Sequence, residues 1–169
     1  PQTMQPVPAD AKTMGEVFFR GNVVMKGYLK NAKASHEAFE DGWFHSGDLI
    51  SIDADGQLMF HGRLRDMLKV GGENVAAVEI ESCLQQHPAV KLAQVVGIPH
   101  PRLIEVPAAF IELEAGSNAT EDELIGFCKG KIAGFKVPRH VRFVSQWPTS
   151  STKIQKFRLQ EQIRTELGL

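Results

Sequence analysis

Asp48, in the run His45-Ser46-Gly47-Asp48, has the makings of a recognition residue. A carboxylate can accept both hydroxyls of a ribose, and a glycine beside it lets a sugar approach the backbone closely. An ordinary turn aspartate has the same sequence appearance. Arg63 follows fifteen residues later. If the chain between them is a hairpin, both residues return to one end of the ribbon. There they form a surface ion pair, worth ~0–1 kcal/mol, or a nucleotide clamp, and spacing leaves both open. Gly71-Gly72 reads as a hairpin turn, or as a loop whose exposed N–H groups a thin ligand can slide past. Lys153 lies in a Ser/Thr-rich run. Such a lysine is solvated surface, or a way to deliver one point charge to a phosphate or carboxylate.

Positioning these groups requires specific elements. Residues 43–63 predict a hairpin: "LISID" and "QLMFH" alternate in strand fashion, and Asp53-Ala54-Asp55-Gly56 supplies the turn. A second hairpin, "DMLKVGGENVAA", turns near Gly71-Gly72. Upstream, residues 1–14 hold three prolines and read as a loop or linker, followed by short strands in "GEVFFRG" and "VVMKGY". Residues 31–40 predict a short helix capped by Asn31 and ended by Asp41-Gly42. Beyond Val75, helices and strands alternate. Ala77, Ile80, Cys83 and Leu84 mark one helical face, and "VKLAQVVGI" and "PAAFIEL" read as strands. Thr120 and Glu123 form a capping box before a helix whose spacing continues through Leu124, Phe127, Cys128 and Ile132. "HVRFVSQW" reads as a strand and "PTSSTKIQK" as a polar loop. A last helix carries Leu159, Ile163 and Leu167. The class is α+β, and the change of texture near residues 63–66 is the best boundary.

The chain has 169 residues, of which 43% are hydrophobic and 23% charged, so it reads as globular rather than disordered. Its net charge of −1 gives no global reason to expect nucleic acid or an anionic membrane. That balance conceals a split. Residues 1–128 carry eighteen acidic and ten basic side chains, whereas residues 129–169 carry nine basic and two acidic. A basic end suggests a local anion site or solvated helix faces. Cys83 and Cys128 fall on apolar helix faces and read as buried free thiols. The six histidines show no metal-ligand spacing, so no metal site is expected. No apolar run approaches the ~18 residues of a membrane span, and no signal peptide is evident, so a cytoplasmic setting is expected. A start at Pro1 suggests a piece of something longer.

Five ordered runs carry a family resemblance: "GEVFFRGNVVMKGY", "GWFHSGDL", "GRLRDMLKVGGENVAAVEIE", "GFKVPRHV" and "TKIQKFRL". From about Gly15 to Leu167 the chain resembles the C-terminal part of the AMP-forming acyl-CoA synthetases. These share a superfamily with luciferases and peptide-synthetase adenylation domains. The resemblance implies two steps: a carboxylate attacks the α-phosphate of ATP, and CoA then displaces AMP. It implies that Asp48 holds the ribose hydroxyls, that Arg63 binds the nucleotide beside it, and that Arg65 is the hinge. Lys153 takes the place of the lysine that contacts the reacting carboxylate and α-phosphate. Gly71, Gly72, Glu73 and Asn74 resemble the loop lining the pantetheine tunnel, and Arg102, Lys136 and Arg139 are candidates for the CoA phosphates.

The family has glycine directly before the catalytic lysine, where this chain has Thr152, and the stretch from Pro148 to Lys153 is one residue short. The register of "KIQKFRL" selects Lys153 over Lys156. By resemblance, residues 1–64 are the distal β-rich part of an AMP-binding N-terminal domain. Residues 65–169 form a small mobile C-terminal domain, a hairpin plus mixed helices and a short sheet. The partners implied are a carboxylic acid, ATP, CoA and the large domain of the same polypeptide. Mg²⁺ ligands are expected in that large domain, and the 169 residues alone are expected to be inactive. The competing expectations are a non-catalytic interaction module that kept the fold, and the adenylation domain of another adenylate-forming enzyme.

Overall fold

A computed structural model describes residues 4–169. The chain divides into two compact units after Arg65, one residue beyond the boundary expected from sequence.

The first unit is built around one long strand. Its elements are β1 (Gly15–Phe19), α1 (Ala32–Ala38), β2 (Phe39–Glu40), β3 (Trp43–Ile52) and β4 (Leu58–Arg63). β1, β2 and β4 all pair antiparallel with β3. The β3–β4 turn forms as the sequence predicts: Gly56 takes φ of 78°, and the Asp53 carboxylate accepts from the Asp55 and Gln57 N–H groups. Asn31 caps α1 by accepting from Ala34 N–H at 3.0 Å. The helix ends at Ala38 rather than Glu40, because Phe39 and Glu40 pair with Phe44 and Trp43. "VVMKGY" is not a strand. Val23 is 93% exposed, and Gly21 and Gly27 both take positive φ, so that run meets no pairing edge. Leu58, Met59 and Phe60 of β4 are exposed in succession.

The second unit comprises β5 (Met67–Val70), β6 (Glu73–Ala76), α2 (Ala77–Leu84), β7 (Val90–His100), β8 (Ile104–Leu113), α3 (Glu121–Cys128), β9 (His140–Phe143), β10 (Thr149–Ser150), β11 (Lys153–Ile154) and α4 (Lys156–Leu167). Its sheet runs β6-β5-β8-β7, with β9 parallel to β8. Alternation along β7 and β8 divides the core. Ala93, Val95, Ala109 and Ile111 pack with Ile80 and Leu84 of α2 and with Leu124 of α3. Val96, Ile98, Ala108 and Phe110 pack with Leu159 and Ile163 of α4. Mixed helices and sheets make the fold α+β.

Thr120 and Glu123 form the expected capping box. α3 stops at Cys128 instead of running to Ile132, with Gly130 at φ of 81° just beyond. Cys83 and Cys128 are buried free thiols. Burial, and then the Cys83 thiol beside it, push the Cys128 thiol up to about 12, which keeps it protonated. The β9 strand ends at Phe143, short of Trp147. The polar stretch before α4 is a small hairpin, β10–β11, rather than a loop.

Candidate functional site

In the first unit, β3–β4 register sets Asp48 opposite Arg63. Arg63 Nε lies 2.8 Å from Asp48 Oδ1, a buried oxygen, so the two side chains form an ion pair. Arg63 also donates to the Ser46 carbonyl at 3.3 Å.

The turn that aims Asp48 is held from β1. Gly47 takes φ of 72°, a conformation that favours glycine. Its N–H donates to the Glu16 carboxylate at 2.9 Å. The Glu16 side chain is 5% exposed, with His45 Nδ1 3.7 Å away. Ser46 Oγ donates to the Val17 carbonyl at 2.7 Å and accepts from Asp48 N–H at 3.0 Å. Glu16 and Ser46 are supporting residues that sequence reasoning missed. Their partners lie about thirty residues away along the chain, and the only sequence signal was that both fall inside recognised runs.

Arg65 lies in the 3₁₀ turn Leu64–Asp66, where the chain passes from one unit to the other.

In the second unit, Gly71 and Gly72 take φ of 61° and 93° in the two-residue turn between Val70 and Glu73. Positive φ at both positions is what a tight hairpin turn asks for. Gly71 N–H donates to the Leu103 carbonyl at 2.8 Å, which ties this turn to the turn holding Arg102. Glu73 and Asn74 are exposed.

His100 gathers two of the three candidate phosphate-binding residues. Its Nδ1 accepts from the Arg102 and Leu103 backbone N–H groups, both at 3.2 Å. Its Nε2 lies 3.1 Å from Nη1 of the Arg139 guanidinium. Lys136 is not part of that group. Its ammonium sits 2.7 and 2.8 Å from the two carboxylate oxygens of Glu79. A part-exposed pair of this kind is worth about 0–1 kcal/mol, so an incoming phosphate can compete for it. His140, beside Arg139 in sequence, is held below its usual pKa by burial first and by Arg142 second.

Lys153 opens β11, exposed and opposite Ser150. The left-handed residue of its turn is Ser151, at φ of 54°, and Thr152 is not left-handed. Threonine in place of glycine therefore brings no backbone strain at position 152 itself. Gln155 N–H closes the hairpin onto the Pro148 carbonyl at 2.8 Å. Among the described residues, no group of three or more His, Cys, Asp or Glu could hold a metal ion.

Residues 79–153 match the AMP-binding enzyme C-terminal domain. A peroxisomal trans-cinnamate:CoA ligase of Petunia hybrida is 42% identical over 97% of this chain and 29% of its own length. An acetate–CoA ligase of Humulus lupulus is 44% identical over 99% of this chain and 30% of its own length. The chain thus spans about a third or less of the curated relatives it matches. Among solved structures, an anthranilate CoA ligase in complex with anthranoyl-AMP superposes with a TM-score of 0.85 at 37% identity. That superposition covers 96% of this chain and 32% of the other. No helix of the described residues is long and apolar enough to cross a membrane.

Proposed function

We propose, from the match of residues 79–153 to the AMP-binding enzyme C-terminal domain, that the chain works as the C-terminal part of an ATP-dependent, AMP-forming acyl-CoA ligase. The observation that carries this reading is the pairing of Asp48 with Arg63 across one rung, joined by an ion pair at 2.8 Å, in a chain whose relatives are named CoA ligases.

In the first step a carboxylate oxygen bonds to the α-phosphorus of ATP, and the bond to the leaving pyrophosphate breaks. Asp48 accepts the ribose hydroxyls, and Arg63 supplies positive charge beside the nucleotide. Lys153 brings its ammonium to the carboxylate and α-phosphate, where negative charge gathers in the transition state. In the second step the CoA thiol loses its proton, its sulfur bonds to the acyl carbon, and AMP leaves. The Gly71–Asn74 turn admits the thin pantetheine arm, since neither glycine carries a Cβ. Arg102 and Arg139 meet the CoA phosphates, and Lys136 joins them by exchanging Glu79 for phosphate. Arg65 is the hinge between the two steps. Magnesium accompanying ATP would be held by ligands in the large domain.

The acid is a fatty or related organic acid, in line with the range of acids in the relatives' names. Some of those names also carry a peroxisomal label, so the cytoplasmic setting is part of the proposal. The test is the full-length gene product assayed against short-chain, medium-chain and aromatic carboxylates, following pyrophosphate and thioester together. Acid-dependent release of pyrophosphate and AMP, with formation of acyl-CoA, is expected. The 169 residues alone should form none. Silence across the whole panel would favour a non-catalytic module instead.

A further inference from the structure

The lysine that opens α4 has a different environment from Lys153. Lys156 Nζ lies 2.6 Å from Glu81 Oε1 and 4.0 Å from Asp66 Oδ2. The Lys156 side chain is 21% exposed and that of Glu81 10%. Glu81 is itself fixed, because the same Oε1 accepts from Val95 N–H of the central strand β7 at 2.8 Å.

The β10–β11 hairpin needs an external anchor. Residues 149–153 are all exposed, so they bury nothing that would hold the hairpin in place. Its placement comes from the residues that follow. Ile154 packs against the Val96–Phe110 side of the core, and Gln155 closes the turn. Lys156 then pins the start of α4 to α2 and β7. One helical turn later Leu159 is fully buried. The same ammonium faces Asp66, the residue directly after Arg65, so a single charge lies between the chain leaving the inter-unit turn and the segment carrying Lys153.

We propose that Lys156, anchored by Glu81, is a positioning residue that fixes where Lys153 stands during adenylation. This rests on the reading of Lys153 given above. A point charge contributes to a transition state only when correctly placed, and a displacement of about 1 Å can cost on the order of 10²-fold in rate. Lys156 touches no reactant and acts through the hairpin.

The test uses the full-length gene product with Lys153→Ala, Lys156→Met and Lys156→Arg. Adenylation is followed by pyrophosphate release, and thioester formation is followed from supplied acyl-adenylate. Lys156→Met should slow adenylation about tenfold at saturating substrates, a smaller effect than full misplacement, and leave the thioester step near its original rate. Amide exchange over residues 149–155 should quicken. Lys156→Arg should restore adenylation, because a guanidinium also reaches the Glu81 carboxylate. A merely structural lesion would slow both steps alike, and that result overturns the proposal. So does full-rate adenylation by Lys156→Met alongside a slow Lys153→Ala. If Lys153→Ala itself adenylates normally, the reading of Lys153 falls, and this proposal falls with it. Should Lys156→Met fail to fold, Glu81→Gln carries the same expectation, since it keeps an acceptor for Val95 N–H while removing the charge.

Discussion

Ile104 holds φ of 68° although it is β-branched and 59% exposed. Glu105 N–H bonds to the Leu103 carbonyl at 2.8 Å, so Ile104 is the centre of a tight three-residue turn. A left-handed conformation costs an L-residue roughly 1–2 kcal/mol, whereas glycine's extra backbone entropy costs about 0.5–1 kcal/mol. With little side-chain burial to lose, Ile104→Gly should stabilise the second unit by about 1 kcal/mol. Urea unfolding of the two forms measures this, and an unchanged or lower midpoint would count against strain. Nothing in the sequence announced it: the predicted strand began at Pro107, whereas Ile104 is the first residue of β8. The candidate site was legible unevenly for a related reason. Asp48, Arg63, Gly71 and Lys153 stand in compact runs. Glu16, Glu81 and His100 act on residues 14 to 39 positions away, and only the fold supplies those partners.

Elements were legible wherever local chemistry decided them. The capping box at Thr120 and Glu123 formed because both halves of the reciprocal bond lie within four residues. Thr120→Ala should therefore cost about 1 kcal/mol, read as a lower urea midpoint, while a midpoint within error of the parent would remove the cap from the account. α3 has only eight residues, with Leu124 and Cys128 buried, so it has few other anchors. The hairpin of residues 43–63 was equally legible, since alternation and an Asp-rich turn agreed. "VVMKGY" misled because strand propensity is a preference for a half-buried pleated surface, and none is offered there. The β10–β11 hairpin was hidden by its polar composition. Its pairing is fixed by what flanks it rather than by its own residues.

At the scale of the molecule, the chain divides after Arg65, within a single 3₁₀ turn. Proline at that position would fix φ, remove a backbone N–H and push Leu64 towards extended conformations. If the turn is the hinge proposed above, Arg65→Pro should impair the thioester step more than adenylation in the full-length protein. Separate assays of the two steps check this, and an intact thioester step would count against the hinge. The boundary was visible from a change of texture, whereas the two-sided core around β7 and β8 needed the helices' final positions. β4 has a further consequence. It pairs with β3 along one side, and Leu58, Met59 and Phe60 stand exposed along it. An uncovered apolar strand edge is a template for intermolecular pairing. Prepared as these 169 residues, the protein should lose solubility as concentration rises, through sheets that extend from one copy to the next, and lysine at position 59 is the substitution that would blunt that growth.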